Sequence, residues 1–261
     1  MNNPAYEHKM KWFARLGYGA RGLIYTIVGG LSLLSAIGAG GDTVDSRGAI
    51  QKVLQQPLGN TMLVILVAGL LGYVGWRLIQ AIKDTDKHGT SIKGFAVRGG
   101  LFISAATHAV LAYYATTLLF ASGSSGGGSE AGKSFIASTP GQIFLMLAGL
   151  AVIGAGAAHI IKGFKARFEK YMEIPAKQTS WVRPLCQFGL IARGAVWLLI
   201  GWFMIRSALW AQSGDIAGMG EALDTLATSP YGTWLLGIAA AGLFAFGLYS
   251  FLEAAYRRIN A

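Results

Sequence analysis

Six stretches of this chain are long and apolar enough to cross a lipid bilayer, and no other feature restricts its fold as strongly. They lie at about 16–38, 58–82, 96–121, 141–162, 187–210 and 232–255. About 20 apolar residues cover the roughly 30 Å of hydrocarbon in a membrane. Inside lipid every backbone donor and acceptor must find a partner, and a continuous helix does this within one segment. The composition agrees, because 53% of the residues are hydrophobic and only 13% charged, more apolar surface than one soluble core of 261 residues hides. A formal charge of +10 does not point to nucleic acid here. The positive residues stand in short connectors beside the apolar runs, where they set membrane orientation. The lone Cys186 has no second thiol for a disulfide or a metal site.

Of the 22 Lys and Arg residues, 18 fall on one side of the six spans: those up to Arg21, from Arg77 to Arg98, from Lys162 to Arg193, and Arg257-Arg258. The other side receives Arg47, Lys52, Lys133 and Arg206. By the positive-inside rule both termini are cytoplasmic and the loops 39–57, 122–140 and 211–231 lie outside. Residues 1–15 carry the basic and aromatic run Glu7 to Arg15, suited to the headgroup level of a membrane. A cleaved signal peptide is a poorer reading, because the first apolar run is long and takes part in an internal repeat.

That repeat sets the architecture. Leu16-Gly17-Tyr18-Gly19-Ala20-Arg21-Gly22 returns in weaker form as Phe95-Ala96-Val97-Arg98-Gly99 and as Gly189-Leu190-Ile191-Ala192-Arg193-Gly194. In each unit a Pro-Gly signal then opens the even span, at Pro57-Leu58-Gly59, Pro140-Gly141 and Pro230-Tyr231-Gly232. Within it follows Ala-Gly-Leu, at 68–70, 148–150 and 241–243. In the first and third outer loops, 48–54 and 220–226 have the spacing of short amphipathic helices, expected to rest on the outer membrane interface. The middle loop carries the Gly- and Ser-rich tract 122–129, expected to be flexible.

With these motifs the chain resembles the bacterial membrane proteins grouped as domain of unknown function 1206, over about residues 12–258. The middle unit departs most, with Val97 in place of the Ala before Arg98. The resemblance implies a bacterial plasma-membrane protein of three tandem two-helix units and carries no mechanism. The expected fold is all-α: a polytopic transmembrane six-helix bundle with repeats at 16–83, 96–163 and 187–258. Units with an even number of spans enter the membrane in the same direction, so three parallel repeats give pseudo-threefold symmetry about the membrane normal. The small faces at Gly69, Gly72 and Gly75, at Gly154 and Gly156, and at Gly237, Ala241 and Ala245 suggest that the even helices lie inside.

The candidate site residues are polar groups in the spans. Arg21, Arg98 and Arg193 hold equivalent places, where three guanidinium groups around one axis could hold a phosphate or carboxylate. Against this, the 17 residues from Arg21 to Gly38 span about 26 Å of helix, placing the Arg near the inner boundary, where it snorkels or forms a structural pair. Gln80, His159 and Glu253 end the even helices at matching depth, with a one-residue slip for His159. Within each repeat this suggests an Arg193–Glu253 ion pair and its neutral versions Arg21–Gln80 and Arg98–His159, or groups that simply face water. His108 is the mid-membrane polar residue, about 15 Å beyond Arg98. A haem between His108 and His159 is disfavoured by a depth difference of about 10 Å, and a hydrogen bond to a neighbouring helix is the default for His108.

No Walker loop, dinucleotide motif, nucleophile elbow or zinc spacing appears, so no catalytic residue, metal site, cofactor or enzymatic activity is expected. Two functions remain. One is a non-catalytic module that binds membrane lipid, a membrane protein partner or a second copy of itself. The other is a small channel or permease for an anionic or amphipathic solute, using the Arg layer. The scarcity of charge between the ends of the spans favours the first.

Overall fold

The computed structural model of the protein describes residues 4–120, 138–209 and 219–259. Among them, eight α-helices account for nearly all of the chain: α1 Pro4–Ala36, α2 Ser46–Leu54, α3 Gly59–Lys83, α4 Ile92–Phe120, α5 Thr139–Phe164, α6 Thr179–Leu209, α7 Met219–Thr228 and α8 Gly232–Tyr256. Six of them, all but α2 and α7, are long and apolar enough to cross a membrane. The tract 122–129 lies outside the described residues.

The helix boundaries follow local chemistry. Pro57 and Pro230 cannot continue a helix, and the next residue turns left-handed in both places, Leu58 at φ 63° and Tyr231 at φ 62°, so that α3 and α8 start in the same way. The middle unit lacks that intervening residue. There Ser138 caps α5 instead, its hydroxyl accepting from the Gly141 N–H at 3.3 Å, with Pro140 in the first turn. α3 ends at Asp84, also left-handed at φ 49°, whose carboxylate accepts from the N–H groups of His88 and Gly89. Those two hydrogen bonds hold the Asp84 carboxyl below the usual aspartate range. Residues 7–15 are not set apart from the first span: α1 runs through them from Pro4 without a break.

Packing joins the spans in the order α3, α1, α8, α6, α5 on one side and α3 to α4 on the other. Glycine sets the closest approaches. A Cβ at Gly194 would lie 2.7 Å from the Gly156 carbonyl oxygen, and one at Gly201 2.7 Å from that of Gly149, so α5 and α6 touch backbone to backbone. α1 and α8 repeat this register, with Gly22 against Gly247 and Gly29 against Ala240. At the third such junction, α3 with α4, Gly99 and Gly75 face open space. α4 and α5, the two spans of the middle unit, meet at most glancingly.

Burial therefore follows position along this chain of contacts. It does not separate even helices from odd ones, as the small-residue faces suggested. Half or more of the central stretches of α1 and α8 is buried (50% and 56%), against 11% in α4 and 17% in α5. The short helix α2 also departs from expectation. Its apolar face, Ala49, Ile50 and Val53, is turned into the bundle against α1, α3 and α4, closing that end of the interior. At the opposite end the connector after α5 folds back as two short 3-10 turns, Arg167–Tyr171 and Ala176–Gln178. Phe168 and Met172 are buried there, and Met172 pairs with Arg257 in an isolated antiparallel bridge.

Candidate functional site

The polar side chains of the bundle converge just inside the connector end. Arg21 leaves the middle of α1 and reaches two neighbouring helices. Its Nε donates to Ser250 Oγ at 3.1 Å, its Nη1 to the Tyr73 hydroxyl at 2.6 Å, and its Nη2 to Glu253 Oε2. From there the bonds continue in a closed circuit. Glu253 Oε1 accepts from Arg257 Nη1 at 2.8 Å, and Arg257 Nη2 donates to Asp86 Oδ2 at 3.0 Å. Gln80 Nε2 donates to the same Asp86 oxygen at 2.8 Å, while Gln80 Oε1 accepts from Arg77 Nη1 at 3.0 Å. Arg77 Nη2 returns to the Tyr73 hydroxyl at 2.5 Å. Seven side chains from α1, α3, α8 and the two segments that follow α3 and α8 thus form one ring. The ring of Tyr18 lies among its three guanidinium groups, with the Arg carbons 5.2 to 5.7 Å from the centroid. Arg21, Gln80, Glu253 and Arg257 are buried, where ions hold only when paired, and the Nε atoms of Arg77 and Arg257 are the ring's nitrogens without a hydrogen bond.

The pairing expected within repeats is therefore corrected. Glu253 meets Arg21 of the first unit, not Arg193 of its own. Arg193 instead donates to His159 of the second unit, Nη1 to Nε2 at 2.7 Å, and to the Tyr25 hydroxyl at 3.0 and 3.2 Å. Arg98 of the second unit donates to the Ala81 and Ile82 carbonyls that end α3 of the first. Each Arg binds the even helix of another unit, because the close helix pairs form between units. Three Arg residues do not gather at one point: Arg21 and Arg193 flank the ring of Phe246 at 5.2 and 4.3 Å, while Arg98 caps α3 apart from them. Arg21–Gln80 is an indirect link through Tyr73 and Arg77.

The layer continues toward α5, where its character changes. His159 donates from Nδ1 to the Ala155 carbonyl at 2.8 Å, so Nε2 is the lone-pair nitrogen that receives Arg193 and the imidazole is neutral. Lys162, half-buried, reaches across the interior to α8 and donates to the Tyr249 hydroxyl at 3.0 Å. Among the described residues neither Arg193 nor Lys162 touches a carboxylate. His108 on α4 is buried but bonds its own helix, Nδ1 to the Ser104 carbonyl at 2.8 Å, and lays its ring 4.5 Å from that of Tyr73. The sequence signalled Arg21, Arg193, Gln80, His159 and Glu253. It did not single out Tyr73, Arg77, Asp86, Lys162 or Arg257, of which Asp86 and Arg257 lie beyond the apolar runs.

Chemically this layer can hold an anion or lock helices together. No nucleophile with an adjacent general base is assembled in it.

Three segments of the chain, 16–84, 99–166 and 188–257, match the family Domain of Unknown Function (DUF1206). An uncharacterized protein of Bacillus subtilis (strain 168), YxxB, is 34% identical over 255 residues, covering 96% of this chain and 92% of its own. No solved structure matches. Counted back from the ends of the three segments, Gln80, Lys162 and Glu253 hold one place, four residues in. Lys162 thus takes the place given to His159, whose counterpart is Ser250, the residue that binds Arg21 as His159 binds Arg193. Eleven residues in stand Tyr73, Ala155 and Phe246. Tyr73 and Phe246 pack on Gly17 and Gly189 of their own units. Ala155 holds that place in the middle unit, whose two spans α4 and α5 meet at most glancingly. By its three repeated segments and by its similarity to YxxB over nearly its whole length, the chain belongs to the DUF1206 family.

Proposed function

We propose that this protein is a non-catalytic, lipid-binding module of the bacterial plasma membrane, with three parallel two-helix units and both termini cytoplasmic. The observation that carries the reading is the one-sidedness of the interior. Beyond the Arg layer the described spans carry no Asp, Glu, Lys or Arg except Arg206 on α6. That half is filled by Val28, Leu63, Leu66, Ala115 and Leu236, with Ile50 and Val53 of α2 over its end. A solute passing through would exchange hydration for apolar contact over this distance, a cost that conduits avoid with a polar lining. The two spans of the middle unit are the least buried, at 11% and 17%, which leaves much of α4 and α5 facing the surroundings, and the cations of the polar layer suit an anionic headgroup.

The test is reconstitution of the purified protein in liposomes and in lipid nanodiscs. Phospholipid should remain bound when the protein is released from nanodiscs into a mass spectrometer, at stoichiometric level. Flux of chloride, phosphate or small carboxylates into the liposomes should equal that of protein-free vesicles. Flux above that level would favour the permease reading over this one. Adducts of protein size in place of lipid would favour a partner subunit or a second copy.

A further inference from the structure

Beside the contact between α1 and α3 lies a groove of about 390 Å³. Met10 and Phe13 of α1 line one side, and Ala68, Leu71, Gly75 and Ile79 of α3 the other. The groove exists because two lining glycines of α3 face different things. Gly72 lies against the α1 backbone, where a Cβ would come 2.6 Å from the Phe13 carbonyl oxygen, so the helices touch there. A Cβ on Gly75, three residues on, would meet nothing within 4 Å, so the surface falls away beside the contact. Among the lining side chains Trp76 carries the one nitrogen or oxygen, and its Nε1 already donates to the Tyr18 hydroxyl at 3.0 Å. The lining side chains therefore offer a hydrated solute no hydrogen bond in exchange for its water.

Size and depth narrow the occupant. From Ala68 to Ile79 the groove follows α3 for 11 residues, about 16 Å of rise. Spread over that length, its volume makes a trough roughly 5 Å across, against 10–12 Å for a helix with its side chains. An extended hydrocarbon chain fits this width, and a helix of a partner does not. The same length is about half of a 30 Å hydrocarbon layer, the share of one leaflet. Ala68 is the tenth of the 25 residues of α3, so the groove runs from the middle of the span to its connector end. There Lys83 stands four residues past Ile79 on α3, and Trp12, 56% exposed, stands beside the groove wall on α1, residue types that favour the headgroup boundary.

We infer that the groove between α1 and α3 is a binding site for one acyl chain of a phospholipid in the leaflet on the connector side, with its headgroup at the Lys83 end. The inference rests on the lipid-binding function proposed above and gives that function a place and the part of the lipid that is held. Gly75 makes the room, and the unbranched Met10 side chain adjusts to the chain that fills it.

The experiment uses the whole protein in nanodiscs of phosphatidylcholine, a fraction of which carries a photoactivatable diazirine on one acyl chain. Cross-links mapped by peptide mass spectrometry should concentrate on residues 10–13 and 68–79, about tenfold above the exposed surface of α4. Gly75→Leu adds a side chain in the groove itself and should lower those cross-links, and the lipid retained on release into a mass spectrometer, about tenfold. Gly99→Leu, at a glycine whose Cβ also meets nothing, should leave both unchanged. Cross-links spread evenly over the spans of the wild type overturn the site whether or not either variant folds, as does undiminished labelling of Gly75→Leu. A protein-sized adduct that Gly75→Leu removes overturns it in favour of a second copy. If the wild type retains no lipid, the lipid-binding function falls together with the site; if it retains lipid that cross-links elsewhere, only the site falls.

Discussion

At the scale of single residues, the central fact is that Glu253 carries two cations at once, Arg21 on Oε2 and Arg257 on Oε1. Removing it strands both in the interior, so Glu253→Ala should cost about 3–5 kcal/mol of unfolding free energy. Because the stranded charge is chiefly that of Arg21, Arg21→Ala added to Glu253→Ala should cost much less than Arg21→Ala does in the wild type. Arg193→Ala should add its full cost, since it shares no partner with Glu253. Denaturation of the detergent-solubilised single and double mutants measures this, and additive costs for Arg21 and Glu253 would count against the pair. The residues of the layer were partly legible in the sequence, because an ionisable group inside an apolar run is conspicuous. Which residue pairs with which was not. Arg193 and Glu253 share a unit, and periodicity says only that they lie at one depth. The choice of partner is made by packing between units, through Gly22 with Gly247 and Gly156 with Gly194, which brings Arg21 to α8 and Arg193 to α5.

Among the helices, close approach and separation alternate for reasons visible in single side chains. Gly194 lets α6 touch the α5 backbone, so Gly194→Ala should force the helices apart and cost about 1–3 kcal/mol, the usual price of overpacking. Its counterpart Gly99, with nothing within 4 Å, should accept alanine within about 0.5 kcal/mol. Melting temperatures of the two variants in one detergent decide the matter; equal losses would mean that α3 and α4 are as close as α5 and α6. The six spans and the Pro-Gly starts of the even helices were readable, because length and apolarity suffice for the first and proline chemistry for the second. The sparse contact between α4 and α5 had no signal in the sequence, because the motifs that open the two spans are present in the middle unit as in the others. α2 misled for a different reason. An amphipathic helix of nine residues suits a membrane surface and a bundle end equally well, and only the neighbouring spans determine which it covers.

For the molecule as a whole, orientation is the property most open to direct test. In a Cys186→Ser background, Lys170→Cys in the connector after α5 should react with an impermeant thiol reagent only from the cytoplasmic side, and Gln55→Cys after α2 only from outside. Labelling of Lys170→Cys in intact cells would reverse the topology proposed here. The closed ring adds a constraint in time. It joins Arg21, near the start of the chain, to Glu253 and Arg257, near its end, with Arg77, Gln80 and Asp86 between. During synthesis the first span therefore waits in the membrane with its guanidinium uncompensated by any carboxylate until the last span has been inserted. A ribosome that stalls before α8 leaves behind a product marked by an exposed intramembrane charge, the kind of feature by which membrane quality control distinguishes unfinished proteins from finished ones.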